Sequence, residues 1–240
     1  MNTVPQALKA VVVVPLLLNP FSNSWAETGT DERVWSFDKA AVGALPPGWQ
    51  VAETSGRGTP ATWQVVADSA APSSSRAVAI TRVENSGQTY NLLLAPHTSF
   101  GDLEIELMVK AVAGSQDQGG GPIWRARDAD NYYIARWNPL EDNFRVYTVK
   151  DGKRKMLKSA TVKADPGEWH RIEIEHVGDR IEAEFDGEEL LVVADSTFGD
   201  AGMVGLWTKA DAATAFDDFE VKRENGKEEE EEDGEDEEDE

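Results

Sequence analysis

Between Val34 and Lys222 the sequence alternates apolar and polar residues with a period of two, and that periodicity restricts the fold more than any other feature. In DLEIELMVK (102–110), Leu103, Ile105, Leu107 and Val109 fall on one side, with Asp102, Glu104, Glu106 and Lys110 on the other. That is a strand with one buried face. TWQVVAD (62–68), HRIEIEHV (170–177) and RIEAEFD (180–186) repeat the pattern, and no long window carries the 3.6-residue period of an amphipathic helix. Asp151-Gly152, Gly178-Asp179 and Asp186-Gly187 each separate two such runs, as tight antiparallel hairpins require. Residues 131–194 therefore read as a meander of consecutive antiparallel strands. More than about ten short strands in one segment of this length predict an all-β, two-sheet antiparallel sandwich.

The ends differ in kind from this core. Residues 1–26 read as a signal peptide: Lys9 closes a short basic stretch, AVVVVPLLL (10–18) supplies the apolar centre, and the small residues Ser24 and Ala26 take the −3 and −1 positions of a cleavage site. The apolar run is shorter than the ~20 residues that cross a bilayer, so cleavage is expected to leave an exported periplasmic or extracellular protein without a membrane span. Residues 27–33 read as a flexible lead-in. Twelve of the thirteen residues from 228 to 240 are acidic, a composition that cannot bury apolar surface, so 223–240 reads as a disordered acidic tail. The domain proper is expected at 34–222.

Charge and residue usage exclude several functions. The chain carries −22 overall, and residues 27–227 hold 22 basic and 33 acidic residues. Nucleic acid demands a cationic footprint, so it is not an expected partner. With no cysteine there is no thiol catalysis, no cysteine-ligated zinc and no disulfide. The three histidines, His97, His170 and His176, show no metalloprotease spacing. Gly119-Gly120-Gly121 lacks the Lys-Ser/Thr of a phosphate loop and reads instead as close backbone packing or a bulge.

Three segments are distinctive: DQGGGPIWRARDADNYYIARWNPLEDNFRVYTVKDGKRKML (117–157), GEWHRIEIEHVGDRIEAEFDGEELLVVADSTF (167–198) and AGMVGLWTKADAATAFDDFEV (201–221). Together they resemble the concanavalin A-like lectin and glucanase jelly rolls, close to bacterial 3-keto-disaccharide hydrolase-like and laminin-G-like domains. The resemblance implies the fold. Function stays open among glycan recognition, glycoside hydrolysis and a non-catalytic adhesion or scaffold role, because this fold carries all three.

Carbohydrate recognition needs aromatic faces and planar hydrogen-bonding groups. Alternation in YYIARWN (132–138) places Arg136 and Asn138 on one face. NFRVYTV (143–149) does the same for Arg145 and Tyr147, and GPIWRARD (121–128) for Arg125 with Arg127. Arg125, Arg136, Asn138, Arg145 and Tyr147 are thus expected to share one solvent-facing surface, with Trp207 and Lys209 at its edge. A glycan is the partner this predicts, and the concentration of arginine raises an acidic one. The competing reading makes these residues the outer faces of ordinary strands, paired to carboxylates.

Hydrolysis would require two carboxylates ~5–5.5 Å or ~6.5–9.5 Å apart. Asp102, Glu104 and Glu106 have a spacing of ~6.6 Å along one strand face, but no aromatic residue flanks them, and a solvated strand face describes them better. Asp38, in SFD (36–38), and Asp217 with Asp218, in FDDFEV (216–221), are candidate oxygen ligands for a structural calcium ion between the first and last strands.

Overall fold

The computed structural model describes residues 32–56, 59–85 and 87–224, so the expected signal peptide, the lead-in up to residue 31 and the acidic run lie outside the described residues. Among the described residues there is no helix. The chain runs through β1 (Glu32–Trp35), β2 (Gln50–Thr54), β3 (Thr62–Ala67), β4 (Arg76–Arg82) and β5 (Tyr90–Phe100). It continues through β6 (Leu103–Ala113), β7 (Gly121–Asp128), β8 (Asn131–Asn138), β9 (Asn143–Lys150) and β10 (Lys153–Thr161). The last five strands are β11 (His170–Val177), β12 (Arg180–Phe185), β13 (Glu188–Ala194), β14 (Gly202–Lys209) and β15 (Ala213–Arg223).

These strands form two antiparallel sheets. One has the order β13-β12-β11-β6-β15-β4-β3, with β1 also paired to β15, and the other has the order β10-β9-β8-β7-β14-β5-β2. The expected all-β sandwich is what the chain builds. Its core lies between the sheets: Leu103, Ile105, Leu107 and Val109 of β6 face Trp124 of β7, Tyr133, Ala135 and Trp137 of β8, and Phe144 and Val146 of β9. Burying side chains of this size contributes about 1.5–3 kcal/mol each, which lets a cysteine-free domain of this size stand on its core.

All three hairpin dipeptides sit at turns. Lys150 pairs with Lys153, Val177 with Arg180 and Phe185 with Glu188 across them. Asp151, Gly152, Asp186 and Gly187 take positive φ, the backbone that matches the twist of the flanking strands. The meander is interrupted, however. β8, β9 and β10 belong to the seven-stranded sheet, whereas β11, β12 and β13 belong to the other. The segment 162–169 therefore carries the chain across the sandwich. Hairpin chemistry is local and does not report which sheet the next strand joins.

The three consecutive glycines mark close packing. A Cβ on Gly119 would lie 2.3 Å from the Trp137 carbonyl oxygen, on Gly120 2.3 Å from that of Trp207, and on Gly121 2.1 Å from that of Ala135. The start of β7 is threaded between β8 and β14 where no side chain fits.

Candidate functional site

Facing away from the core, the seven-stranded sheet presents Tyr90, Leu92 and Leu94 of β5, Ile123 of β7, Tyr132 and Ile134 of β8, Tyr147 and Val149 of β9, and Trp207 of β14 as one packed cluster. Register extends this face along the strands, since Ile134 pairs with Tyr147, Arg136 with Arg145 and Asn138 with Asn143. Arg136, Asn138, Arg145, Tyr147, Trp207 and Lys209 therefore do share one sheet face.

Arg125 does not, and here the expectation is corrected. On β14, Met203 to Gly205 spans two residues where β7 uses three, Ile123 to Ala126. This is a β-bulge with Arg125 at φ 44°. The extra residue resets the alternation, so Trp124 lies in the inter-sheet core while Ala126 joins the outer face. The Arg125 side chain turns to the end of the sandwich, 1% exposed. There it donates to the carbonyls of Gly101 (3.0 Å), Gly178 (3.1 Å) and Phe198 (3.0 Å) and to Asp102 (2.9 Å). It is a structural clamp.

The outer face is also less open than alternation implied. Arg136 is 1% exposed and is held by acids the sequence reading passed over. Asp117, on the β6–β7 connection, accepts from Arg136 Nη2 at 2.6 Å and from Asn138 Nδ2 at 3.0 Å, with Lys209 Nζ 3.0 Å from its other oxygen. Glu141, in the β8–β9 turn, accepts from Arg145 Nη1 at 2.9 Å and Asn143 Nδ2 at 3.0 Å, and lies 3.5 Å from Arg136 Nη1. Burial works to raise the Glu141 carboxyl, but Asn143 and the cations Arg136, Arg145 and Lys209 together hold it below the usual carboxylate range. Three atoms of this cluster are buried without a hydrogen-bond partner: the donor Arg136 Nε, the acceptor Asn143 Oδ1, and Asp117 Oδ2, which is met only by the Lys209 charge.

The loop that delivers Asp117 is positioned by another acid. Asp211 accepts from the backbone N–H groups of Ser115, Gln116 and Asp117 and from the Ser115 hydroxyl. Against the desolvation that would raise it, these donors bring its carboxyl down to about 2.

At the other end of the face, Tyr147, Tyr90 and Trp207 surround the Arg154 guanidinium, whose carbon lies 4.4, 5.3 and 5.8 Å from their ring centroids. The Tyr147 and Trp207 rings are thus covered by an arginine rather than presented for stacking. Arg154 was missed in the sequence because KRKML (153–157) reads as a basic strand edge.

The remaining candidates occupy other places. Asp102 leaves the row of Glu104 and Glu106 to cap Arg125 and the Gly178 N–H. Glu104 and Glu106 stand on the outer face of the eight-stranded sheet, in register with Glu175 and Glu173. His176 is buried, accepts at Nδ1 from Trp124 Nε1 at 2.8 Å, and is brought down to about 3 by desolvation and then by Arg125. His170 bonds Asp186 and the Asp165 carbonyl.

Asp38, Asp217 and Asp218 do come near one another. Desolvation first, and then its two acidic neighbours, raise Asp218, and Asp217 is raised by desolvation and by Asp38. Their oxygens are engaged, however, with Ser73 on Asp217 and Ser74 on Asp38. Among the described residues no set of three acidic or histidine side chains is arranged to hold a metal ion.

No protein-family model and no curated protein matches the chain. Solved structures do. The carbohydrate-binding module CBM66 from Bacillus subtilis is similar with a TM-score of 0.59 and 19% identity, over 73% of this chain and 95% of that one. Domain 4 of AbnA, a GH43 extracellular arabinanase from Geobacillus stearothermophilus solved with arabinotriose, is similar with a TM-score of 0.52 and 14% identity, over 79% and 90%. The β-glucanase of Bacillus licheniformis is similar with a TM-score of 0.55 and 13% identity, over 83% and 100%. Likeness at such identities is likeness of fold, and it agrees with the two-sheet antiparallel jelly-roll sandwich described above.

Proposed function

We propose that this chain is an exported carbohydrate-binding module that takes a glycan on the outer face of its seven-stranded sheet, around Arg136, Asn138, Asn143, Arg145 and Lys209. The observation that carries this reading is the unsatisfied pair, Arg136 Nε and Asn143 Oδ1, on neighbouring strands of that face. Leaving such groups unmet costs about 1–3 kcal/mol each. A hydroxyl both donates and accepts, so sugar hydroxyls suit a face that offers donors and acceptors of both kinds. The binding modules among the similar structures support the same reading. Export through residues 1–26 and a solubilising role for the acidic tail belong to this proposal.

Glycoside hydrolysis of the 3-keto-disaccharide type is the second reading. It requires a carboxyl that stays protonated to act as general acid. On this face Glu141 is held low, and Asp117 already contacts three donor side chains. Glu104 and Glu173, whose carboxyls are raised chiefly by desolvation, lie on the other sheet. Binding is therefore preferred to catalysis.

A glycan array with the full chain, run beside a turnover assay on 3-keto-disaccharides, tests the proposal. Retention without turnover is expected. Arg145, 30% exposed, tolerates removal better than Arg136, and Arg145→Ala is expected to weaken retention tenfold or more, about 1.5–3 kcal/mol. Turnover would establish the enzyme instead. Retention of no glycan would leave an adhesion or scaffold role.

A further inference from the structure

We infer that the glycan is acidic, a uronate-bearing chain, and that Arg154 supplies the charge that recognises its carboxylate. This rests on the carbohydrate reading above and names the ligand class for the same face.

Arg154 is the anomaly of the face. Its neighbours Arg136 and Arg145 are each matched to a carboxylate. Arg154 makes no ion pair among the described residues, and its Nη1 is buried with no hydrogen-bond partner. The rings of Tyr147, Tyr90 and Trp207 attract the guanidinium through their faces. Ring faces do not satisfy the N–H groups that point outward in the guanidinium plane. A cation partly removed from water without a counter-ion is costly, and the aromatic cage holds this one in place and in a fixed plane. An incoming carboxylate meets that plane edge-on, through two parallel N–H···O bonds.

Local charge agrees. Among the described residues the ion pairs of Arg136, Arg145 and Lys209 are made to two carboxylates, Asp117 and Glu141, so that with Arg154 four cations stand against two paired acids in a domain that is otherwise strongly acidic. Trp207 lies beneath Arg154, and Lys209 is two residues further along β14 on the same face, roughly 6.6 Å away by strand rise. A chain of two or more sugars with a carboxylate at Arg154 would run along this face toward Arg145, two residues from Tyr147 on β9, and Lys209.

The experiment is isothermal titration of the full chain with oligosaccharides of galacturonate, glucuronate and guluronate, each beside its carboxyl-reduced neutral counterpart. At least one uronate is expected to bind tenfold or more tightly than its reduced partner at low salt, with the difference narrowing as salt rises. Arg154→Gln is expected to erase the preference. Arg154→Lys, which keeps the charge and loses the planar fork, is expected to retain part of it, and circular dichroism of both variants reports whether the fold persists. Equal binding of acid and neutral partners overturns the inference and leaves the carbohydrate reading standing. So does a uronate preference that survives in a folded Arg154→Gln protein. Binding of neither class removes both.

Discussion

Replacing Arg125 by methionine tests how the ends of the two sheets are held together. The guanidinium joins the start of β6 at Gly101, the β11–β12 turn at Gly178 and the β13–β14 connection at Phe198, and it pairs with Asp102. Methionine keeps much of the aliphatic volume, so packing loss is small, while three carbonyls and a carboxylate lose their donor. Removing one partner of a buried charged network costs about 3–5 kcal/mol. With about 2–4 °C per kcal/mol for a domain of this length, melting is expected to fall by roughly 6–20 °C. Urea unfolding followed by tryptophan fluorescence measures the change as a lower midpoint at constant slope. Asp102→Asn is the matched control, because that side chain is 37% exposed and still accepts a hydrogen bond, and it is expected to cost about 1 kcal/mol. A loss under about 1 kcal/mol in Arg125→Met would refute the clamp and return Arg125 to the surface.

His176 stays neutral in the fold down to about pH 3, against an ordinary value of 6.5. The unfolded chain therefore binds its proton first, and stability is lost as pH falls from 6.5 toward 3, at up to about 1.4 kcal/mol per pH unit. His176→Asn, which still accepts from Trp124, is expected to flatten that limb in pH-dependent urea melts. Glu106 faces Glu173 on one side and Glu220 on the other and lies 3.7 Å from Arg171, so Glu106→Gln, which removes the like charges without adding a cation beside Arg171, is expected to change stability by no more than about 0.5 kcal/mol in the same assay. The raised carboxyls of Glu104 and Glu173, shifted first by desolvation and then by acidic neighbours, bind protons more tightly folded than unfolded. Their contribution grows as pH falls into the carboxylate range, opposite in sign to that of His176. Calcium at Asp38, Asp217 and Asp218 remains a proposal: an ion there must displace Ser73 and Ser74, and binding is expected as a rise in melting temperature at millimolar calcium that Asp218→Asn removes. An unchanged melting curve would retire it.

The sequence by itself determined the strands, their buried faces and their tight turns. Each of these is set by neighbours one to three residues away: Leu103, Ile105, Leu107 and Val109 alternate inward, and Asp151-Gly152 and Asp186-Gly187 adopt the backbone their turns need. The shared face of Arg136, Arg145 and Tyr147 was legible for the same reason. What depended on distant partners was not. One extra residue in β7 turned Arg125 into the end of the sandwich and shifted the faces that follow it, and the pairing that makes this bulge is set by β14, far away in the sequence. Asp117 meets Lys209 because triple glycine lets β7 pass against β14, and Asp211 fixes the loop between them from ninety-four residues away. Arg154 sits among Tyr90, Tyr147 and Trp207, residues drawn from three other strands. Alternation fixes which side of a strand a residue takes, but only strand order and register decide what it meets there, and at this face that decided which charges are paired with carboxylates and which one lies among aromatic rings.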